Sequence, residues 1–396
     1  MVSTISKILS VDDAQELARR RLPSSLYQYL VGGAANAKTQ DFNLESFDYT
    51  TFRTHAAVYN QAIDLETTVL GHKLSMPILT APTGNIRMIH KDGEAGVAGV
   101  AADAGIISCH SSACGHSVEQ IGAAAKGHPF FFQLYFIGDR DTIEFAIERA
   151  KHAGCAAIIL TVDTPGYVPR ERPFRERRNI VGGSGLSHMI KFLPQVLTKP
   201  AWAWDYVRDG MQLDCPMGMT RAGMKMDMFG AIGSVLNPAS PVPAWSDIKW
   251  IKEAFGGPVI VKGIQSPQDA RRAVDAGASA VVVSNHGGMS VDGTPATMRM
   301  LPAVLDAVGN EIEVLLDGGV RRGSDVLKAV ALGARAVLIG HAYLYAHAAA
   351  GSDGVRHLLE LFRGHMDQTL RYIGCPSIAE LNREYLFDYP RSENPR

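Results

Sequence analysis

Short apolar runs of strand length recur along the chain, separated by stretches of helical periodicity and by glycines. Ala280–Val283 is typical, since apolar residues without polar alternation predict a strand that is buried on both faces. The runs of this kind are Pro77–Ala81, Gly105–Cys109, Phe130–Leu134, Ala156–Leu160, Pro258–Val261, Ala280–Val283, Val314–Leu316 and Ala336–Ile339. No Gly-x-Gly-x-x-Gly turn follows the first run, which disfavours a dinucleotide-binding (Rossmann) domain. Eight strand units, most of them followed by a helix, therefore predict an α/β fold, a parallel (β/α)8 TIM barrel.

The parts of the chain outside the barrel are predicted to belong to the same single domain, 1–396. Ser10, followed by two aspartates, predicts the start of an N-terminal helix, and Gly71 lies in the turn of a predicted hairpin. The predicted parts are an N-terminal helical segment (1–65), the barrel (76–350) with an inserted loop after the fourth strand (171–245), and C-terminal helices (351–396).

The insertion at 171–245 is too long for an ordinary connection between a strand and a helix. We interpret it as a lid or an interaction loop. Its residues 191–211 have the pattern of an amphipathic surface. The interpretation that we favour is helices packed over the mouth of the barrel.

Composition excludes several classes of partner. The chain is 46% hydrophobic and 20% charged, as is usual for soluble globular proteins, and its net charge of −1 gives no electrostatic case for binding nucleic acid. No apolar run is long enough for a membrane span, and the N-terminus lacks the apolar core of a signal peptide. The five cysteines are scattered, without the spacing of a metal site, which predicts free thiols and a cytoplasmic location.

Polar residues follow all eight apolar runs, at the point where each predicted strand ends. Active sites of TIM barrels lie at these C-terminal strand ends. The polar strand ends are Thr83 and Gly84, Ser111, Gln133 and Tyr135, Thr161 and Asp163, Lys262, Ser284 and His286, Asp317 to Gly319, and Gly340 with His341. The glycines of the last two ends let backbone amides approach an anion, which is typical of a barrel phosphate site.

Single members of this set have ordinary explanations. The chain has 13 histidines, so His286 could stand at a strand end by chance. Thr161 and Gln133 could satisfy backbone groups, and Arg321 could be a solvated surface residue. Lys262 interrupts an apolar run, however, and a buried lysine is costly unless it is paired, which favours a functional role. The whole constellation is much more specific than any one of its residues.

The motifs at these positions resemble those of the FMN-dependent 2-hydroxy-acid dehydrogenase and oxidase family, from about residue 8 to residue 383. The resemblance is carried by Leu-Pro-x-x-x-Tyr-x-Tyr at 22–29, Met-Pro-Ile-Leu-Thr-Ala-Pro-Thr at 76–83, Phe-Phe-Gln-Leu-Tyr at 131–135, Leu-Thr-Val-Asp-Thr-Pro at 160–165, Val-Lys-Gly at 261–263, Ser-Asn-His-Gly-Gly at 284–288 and Asp-Gly-Gly-Val-Arg-Arg-Gly at 317–323.

The resemblance implies bound FMN and assigns roles to the strand ends. Residues implied to hold FMN are Pro82, Thr83, Gly84, Ser111, Gln133, Thr161, Lys262, Ser284, Asp317, Gly318, Gly319, Arg321, Gly340 and His341. His286 would be the base and Asp163 its partner, while Tyr135 would contact the substrate hydroxyl. Tyr29 and Arg170 would face the substrate's acid group. The family also implies a homotetramer and an electron acceptor, which could be oxygen, a quinone or a redox protein.

This chain departs from the family pattern at several positions. Met289 stands where the family has an arginine that clamps the substrate carboxylate, and Ala113 replaces a large aromatic residue of glycolate oxidase. His341 stands where arginine is usual, so a titrating histidine predicts easier loss of FMN above about pH 7. The pattern at 284–296 resembles more closely a side branch of the family that includes pre-mycofactocin synthase, which oxidises a modified peptide product.

These departures predict a larger or non-standard substrate, aromatic or peptide-derived, that is oxidised at a C–H bond next to a hydroxyl or amine. A first alternative is an ordinary mandelate-like hydroxy-acid oxidase that uses Arg170 and Tyr29 for the carboxylate. A second alternative, from a different class, is a phosphate-binding barrel isomerase or aldolase, with Lys262 as a Schiff-base residue.

Overall fold

The computed structural model describes residues 4–166, 170–171, 193–210, 214–227, 230–231 and 242–388. Its N-terminal part consists of helices α1 (Val11–Arg21), α2 (Ser24–Val31) and α3 (Lys38–Ser46), strand β1 (Thr50–Phe52) and the hairpin β2 (Thr67–Val69) and β3 (His72–Leu74). Ser10 caps α1 as predicted, since its Oγ accepts the Asp13 amide at 3.2 Å. The predicted helical segment also contains β1, because this strand pairs antiparallel with a strand from the end of the chain.

The predicted (β/α)8 barrel is confirmed, with eight parallel strands closed into one sheet. In chain order the barrel strands are β4 (Ile78–Thr80), β5 (Ile107–Ser111), β6 (Phe130–Leu134), β7 (Ala157–Thr161), β10 (Val259–Ile264), β11 (Ala280–Val283), β12 (Glu313–Asp317) and β13 (Val337–Ile339). Three further strands lie outside the barrel: β8 (Asp214–Cys215) and β9 (Met226–Asp227), which form a hairpin in the insertion, and β14 (Leu386–Asp388) near the end of the chain. Strand β5 begins later than predicted, because Gly105 adopts a left-handed conformation (φ 70°) that ends the preceding helix.

Helices cover the outside of the barrel. They are α4 (Gly93–Ala104), α5 (Val118–Ala124), α6 (Arg140–His152), α7 in the insertion (Pro200–Arg208), α8 (Asp247–Phe255), α9 (Pro267–Asp275), α10 (Thr297–Val308), α11 (Gly323–Leu332) and α12 (His341–Ile373). Helix α12 kinks at Gly351, where a β-carbon would lie 2.3 Å from His90. After α12 the chain returns to the N-terminal part as β14, which corrects the prediction of a wholly helical C-terminal segment. Within the described ranges, no helix is both long and apolar enough to cross a bilayer.

The described part of the insertion packs on the barrel. The Trp202 Nε1–H group donates to the Met88 carbonyl at 2.9 Å, and Arg87 forms a bidentate pair with Asp209 at 2.6 and 2.8 Å. The opposite face of this segment exposes Leu197 and Trp204, in line with the predicted amphipathic character. The remaining residues of the predicted lid, 172–192, 211–213, 228–229 and 232–241, lie outside the described residues.

Two of the histidines that are buried in this framework have lowered pKa values, and their titration makes stability depend on pH. Burial lowers the pKa of His110 to about 4 and that of His347 to about 3, and no described residue pairs with either ring nitrogen of His347. The unfolded histidines titrate near 6.5, so between these values the unfolded chain binds more protons. Their stabilising contribution is therefore complete above about pH 6.5 and is lost as the pH falls.

We expect the urea midpoint of the FMN-loaded protein to fall between about pH 7.5 and about pH 5. His347→Leu removes one of the two titrating groups, so the midpoint should fall less steeply in this variant. Circular dichroism during urea titration at both pH values measures the difference. A parent midpoint that rises on acidification would contradict the burial argument.

Candidate active site

The polar strand ends surround a cavity of about 460 Å³ at the C-terminal end of the barrel. The predicted residues that line it are Tyr29, Pro82, Thr83, Gly84, Ser111, Ala113, Tyr135, Asp163, Arg170, Lys262, His286, Met289, Asp317, Gly318, Gly319, Arg321, Gly340 and His341. The three other predicted residues, Gln133, Thr161 and Ser284, are buried outside its lining. A surface groove at the other end of the barrel, lined by Lys73 and Glu313, contains none of the predicted residues.

His286 is the centre of a chain of hydrogen-bonding groups. Its Nδ1 lies 2.9 Å from Asp163 Oδ1, and its Nε2 lies 3.3 Å from the Tyr135 hydroxyl. Burial opposes ionisation of Asp163, but His286 and Lys262 lower the pKa of this carboxyl below its usual value. Gly263 makes room for Asp163, since a β-carbon there would lie 2.6 Å from the Asp163 β-carbon. This geometry suits a histidine that takes up a proton at Nε2 while a carboxylate stabilises the resulting cation at Nδ1.

The backbone at His286 is left-handed, with φ of 57°, and Gly287 and Gly288 follow with φ of 62° and 79°. A left-handed conformation costs an ordinary residue about 1–2 kcal/mol, so surrounding contacts must hold it. Ser284 Oγ accepts the His286 amide at 3.1 Å, and Asn285 Oδ1 accepts the Gly288 amide at 3.2 Å. Two side chains of the strand-end motif therefore fix the turn that presents the histidine.

Asn285 is held in turn by Asn43 of helix α3, and both side chains are buried. Each amide donates to the oxygen of the other, at 2.8 and 2.9 Å. Asn43 Oδ1 also accepts the amide of Thr297 at the start of α10, at 3.2 Å. The Asn43 carbonyl lies where a β-carbon at Gly319 would be, at 2.3 Å. One asparagine from outside the barrel thus contacts both the histidine turn and the glycine end of β12.

Lys262 is 3% exposed and lies between polar partners at the end of β10. Its Nζ is 3.0 Å from Asp317 Oδ2 and donates to Ser284 Oγ at 2.9 Å. Burial works against the charged form, but Asp317 and Asp163 outweigh it and raise the pKa of Lys262. Lys262 is therefore a buried cation at neutral pH. Asp317 Oδ1, by contrast, has no hydrogen-bond partner among the described residues.

Gln133 and Thr161 are buried next to Lys262, outside the lining of the cavity. The Gln133 Nε2 group donates to Thr161 Oγ1 at 3.0 Å, and Thr161 is the register partner of Lys262 between β7 and β10. Neighbouring strand ends thus carry polar groups at one level of the barrel, as the strand-end pattern predicts.

The other end of the cavity contains Arg321 and His341, which share Tyr345 as a neighbour. The Arg321 guanidinium lies 5.4 Å from the Tyr345 ring centre, and the His341 ring stacks on it at 5.8 Å. Asp325 accepts the backbone amides of Arg321 and Arg322 at 2.8 and 2.9 Å, so these amides are already occupied. The Arg321 side chain is thus the cation that this end presents to an anion.

Burial, with Arg321 nearby, lowers the pKa of His341 to about 3. In the chain by itself the side chain is then neutral on both sides of pH 7. The expectation that its titration loosens FMN above about pH 7 stays a prediction, because an anionic phosphate beside the ring would favour its protonated form.

The opposite wall contains the predicted substrate residues. Arg170 Nη1 donates to the Tyr29 carbonyl at 3.1 Å, and its guanidinium lies 5.3 Å from the Tyr29 ring centre. Met289 and Ala113 contribute apolar surface. Gly84 is close to Ala113, since a β-carbon at Gly84 would lie 3.1 Å from the Ala113 carbonyl oxygen.

A closed barrel whose strand termini bring together a histidine–aspartate pair, a buried lysine and an arginine is typical of an enzyme of the TIM-barrel class. The chain belongs to the FMN-dependent dehydrogenase family, whose sequence profile matches residues 18–388. The protein is therefore an oxidoreductase whose cofactor is FMN, and the isomerase and aldolase alternatives are set aside.

Similar proteins cover nearly the whole chain. It is 42% identical to pre-mycofactocin synthase of Mycolicibacterium smegmatis over 370 residues, 93% of this chain and 91% of that protein. It is 39% identical to L-lactate dehydrogenase of Chromohalobacter salexigens over 374 residues, 94% of each chain. The crystal structure of the monotopic membrane protein (S)-mandelate dehydrogenase superposes with a TM-score of 0.88 at 33% identity, covering 96% of this chain and 100% of that one.

The residues at the site fit FMN. Asp317 Oδ1 is a buried acceptor without a described partner, suited to a hydroxyl of the cofactor's ribityl chain. Gly318 and Gly319 have positive φ, of 96° and 84°, and leave room for a close approach of the backbone. Arg321 offers a guanidinium to a phosphate, and Lys262 offers a buried positive charge to the flavin ring.

Sequence reasoning missed four residues of the site region: Asn43, Asn85, Thr164 and Tyr345. Thr164 Oγ1 lies 3.4 Å from His286 Nδ1 and follows Asp163 directly, so the strand-end pattern could have included it. Tyr345 stands one helical turn after His341, on the same face. Asn43 is 242 positions from its partner Asn285, and no local signal connects the two.

Asn43→Ala should lower the free energy of unfolding by about 1–3 kcal/mol, because both ends of the Asn285 amide lose a buried partner. It should also slow turnover, since the His286 turn loses its support. Ser46→Ala is the matched control, because Ser46 lies on the same helix and bonds the Asn43 carbonyl at 2.8 Å without touching the turn. Chemical denaturation and steady-state rates measure both effects. Equal rate losses in the two variants would contradict a specific role of Asn43.

Proposed function

We propose that this enzyme oxidises a C–H bond next to a hydroxyl or amine in a substrate that is larger than the small 2-hydroxy acids. The observation that carries the proposal is Met289, which contributes an apolar thioether to the cavity where the family pattern has a carboxylate-binding arginine. Ala113 acts in the same direction, because a small side chain leaves space in the wall.

In this proposal His286 is the base that removes the substrate proton at Nε2. Asp163 stabilises the protonated ring through the 2.9 Å contact with Nδ1. Tyr135, 3.3 Å from Nε2, directs the substrate hydroxyl or amine toward the base. Bound FMN accepts the two electrons that leave the C–H bond.

The residues proposed to hold FMN are Pro82, Thr83, Gly84, Ser111, Gln133, Thr161, Lys262, Ser284, Asp317, Gly318, Gly319, Arg321, Gly340 and His341. Lys262 contributes a fixed positive charge, since Asp317 and Ser284 hold its ammonium group in place. His341 contributes a hydrogen-bonding ring, whose pKa burial and Arg321 lower to about 3 in the chain by itself. The anionic phosphate then depends mainly on Arg321 and on backbone amides for its binding.

The substrate is proposed to be aromatic or peptide-derived. The similarity to pre-mycofactocin synthase supports this class. Tyr29 and Arg170 are the polar groups proposed to meet the substrate on the wall next to Met289. Arg170 already donates to the Tyr29 carbonyl, so it offers an acid group fewer hydrogen bonds than an unengaged guanidinium would.

A second candidate is an ordinary aryl hydroxy acid of the mandelate type. The similarity to (S)-mandelate dehydrogenase favours it, as does the presence of Arg170 and Tyr29 in the cavity wall. In this case Arg170 alone neutralises the carboxylate, and Ala113 leaves room for the aromatic ring.

The enzyme is proposed to act as a cytoplasmic homotetramer that passes electrons to oxygen, a quinone or a redox protein. All five cysteines are unpaired and buried, which supports a reducing compartment. Tyr59 and Tyr372 are 86% and 74% exposed, and such aromatic surface supports contacts between subunits.

His286→Ala should keep FMN but reduce it about 10²- to 10⁴-fold more slowly, the usual loss when a general base is removed. Anaerobic mixing with substrate, followed at the flavin absorbance, measures this rate directly. Lys262→Met is the informative comparison, because loss of the buried cation should weaken FMN binding instead. Flavin reduction at the parental rate in His286→Ala would exclude His286 as the base.

Met289→Arg should raise kcat/KM for L-lactate and glycolate and lower it for a larger neutral substrate, because a guanidinium restores the bidentate contact to a carboxylate. Met289→Leu, which keeps the volume and the apolar surface, should change neither value more than about twofold. Steady-state rates of the three proteins with both substrate types measure the change. Efficient L-lactate oxidation by the parent, without improvement in Met289→Arg, would contradict the proposal.

A further inference from the structure

Asn85 is a buried amide in the cavity wall whose hydrogen-bonding capacity the protein does not use. It follows Gly84 directly, is 3% exposed and contributes to the lining of the cavity. Its Oδ1 atom is buried without a hydrogen-bond partner, and within the described residues its Nδ2 group has none either. A buried polar group left unpaired is destabilising, so an unpaired amide in a cavity favours binding of a ligand that pairs with it.

The position of Asn85 assigns it to the substrate side of the cavity. Its backbone amide donates to the Ala113 carbonyl at 2.9 Å, so the two residues are neighbours in the wall. Ala113 is the small residue that widens the proposed substrate space. The charged residues of the other end, Lys262 and Arg321, have partners of their own in Asp317 and Tyr345.

The chemistry of the side chain selects its ligand. A carboxamide presents one acceptor and one donor group side by side, and its complement is another amide, which presents the same pair in reverse. A carboxylate offers acceptors only, and so leaves Asn85 Oδ1 unpaired or facing a negative oxygen. An amide group satisfies both ends of Asn85, whereas a carboxylate satisfies only the donor end.

We propose that Asn85 is a specificity-determining residue that binds an amide group in the substrate. This inference rests on the proposed function. It narrows the proposed substrates from aromatic or peptide-derived molecules to those that carry an amide group. It adds a polar recognition element to a pocket that Met289 and Ala113 make apolar and wide.

Asn85 also has a backbone role, which the experiment must separate from recognition. Its φ and ψ are 62° and 28°, a left-handed conformation that asparagine tolerates better than most residues. Asn85→Gly accepts this conformation without strain and removes only the amide. Asn85→Asp keeps the shape and the acceptor but loses the donor. Backbone strain thus predicts no effect of Asn85→Gly, whereas recognition predicts a clear one.

The test is a titration of the FMN-loaded enzyme with phenylacetamide and with phenylacetate, two matched ligands without an oxidisable hydroxyl. Perturbation of the flavin spectrum reports binding without turnover. The parent should bind phenylacetamide, and Asn85→Gly should weaken this binding about tenfold, which corresponds to one lost hydrogen-bonded pair. Its affinity for phenylacetate should change less than about twofold, and Asn85→Asp should weaken phenylacetate more than phenylacetamide.

Three results would overturn the proposal: a parent that does not bind phenylacetamide, equal weakening of both ligands in Asn85→Gly, or release of FMN by this variant, which would make Asn85 a cofactor contact. Because the titration involves no oxidation, these outcomes are independent of the reduction rate of His286→Ala. A failed proposal for Asn85 and a failed proposal for the base are therefore distinguishable.

Discussion

The site depends on one strained turn and on the amide pair that holds it. His286 adopts a left-handed backbone, which costs about 1–2 kcal/mol, yet this conformation directs its ring toward Asp163 and Tyr135. The buried Asn43–Asn285 pair supplies two hydrogen bonds, each worth about 1 kcal/mol net. The two terms are of similar size, so the pair offsets the strain, together with the bonds from the His286 and Gly288 amides to Ser284 and Asn285. The N-terminal helix α3 is thus part of the catalytic structure rather than an appendage to the barrel.

The second constraint is the placement of charge in the barrel mouth. A buried lysine alone would lose its proton, but Asp317 and Asp163 keep Lys262 charged. The same lysine lowers the pKa of Asp163, which therefore stays ionised next to His286. Lys262 thus links Asp317 electrostatically to Asp163, the partner of His286. Removing this one cation would leave Asp317 without its ion-pair partner and would take away one of the two charges that lower the pKa of Asp163.

The sequence predicts the barrel well because buried parallel strands are continuous apolar runs, and Phe130–Leu134 and Ala280–Val283 match the structure to the residue. The strand-end chemistry was also predictable, since polar residues that end such runs must converge on one face. Contacts that depend on tertiary packing could not be predicted. Asn43 meets Asn285 across 242 positions, and the low pKa of His341 arises from burial next to Arg321, which no local pattern encodes.

The part of the cavity wall that contains Met289 affects both the size and the charge of the substrate that would fit. A charge-assisted hydrogen bond contributes about 1.5–3 kcal/mol, so the missing arginine costs a small hydroxy acid roughly that amount. Apolar burial contributes about 25 cal/mol per Å², so roughly 100 Å² of added contact offsets the loss. A phenyl ring or an apolar peptide side chain provides such an area in a cavity widened by Ala113, whereas glycolate and lactate cannot. In the proposed function, the wall that would weaken carboxylate binding would therefore also favour larger substrates, and the proposed amide contact of Asn85 would distinguish among them.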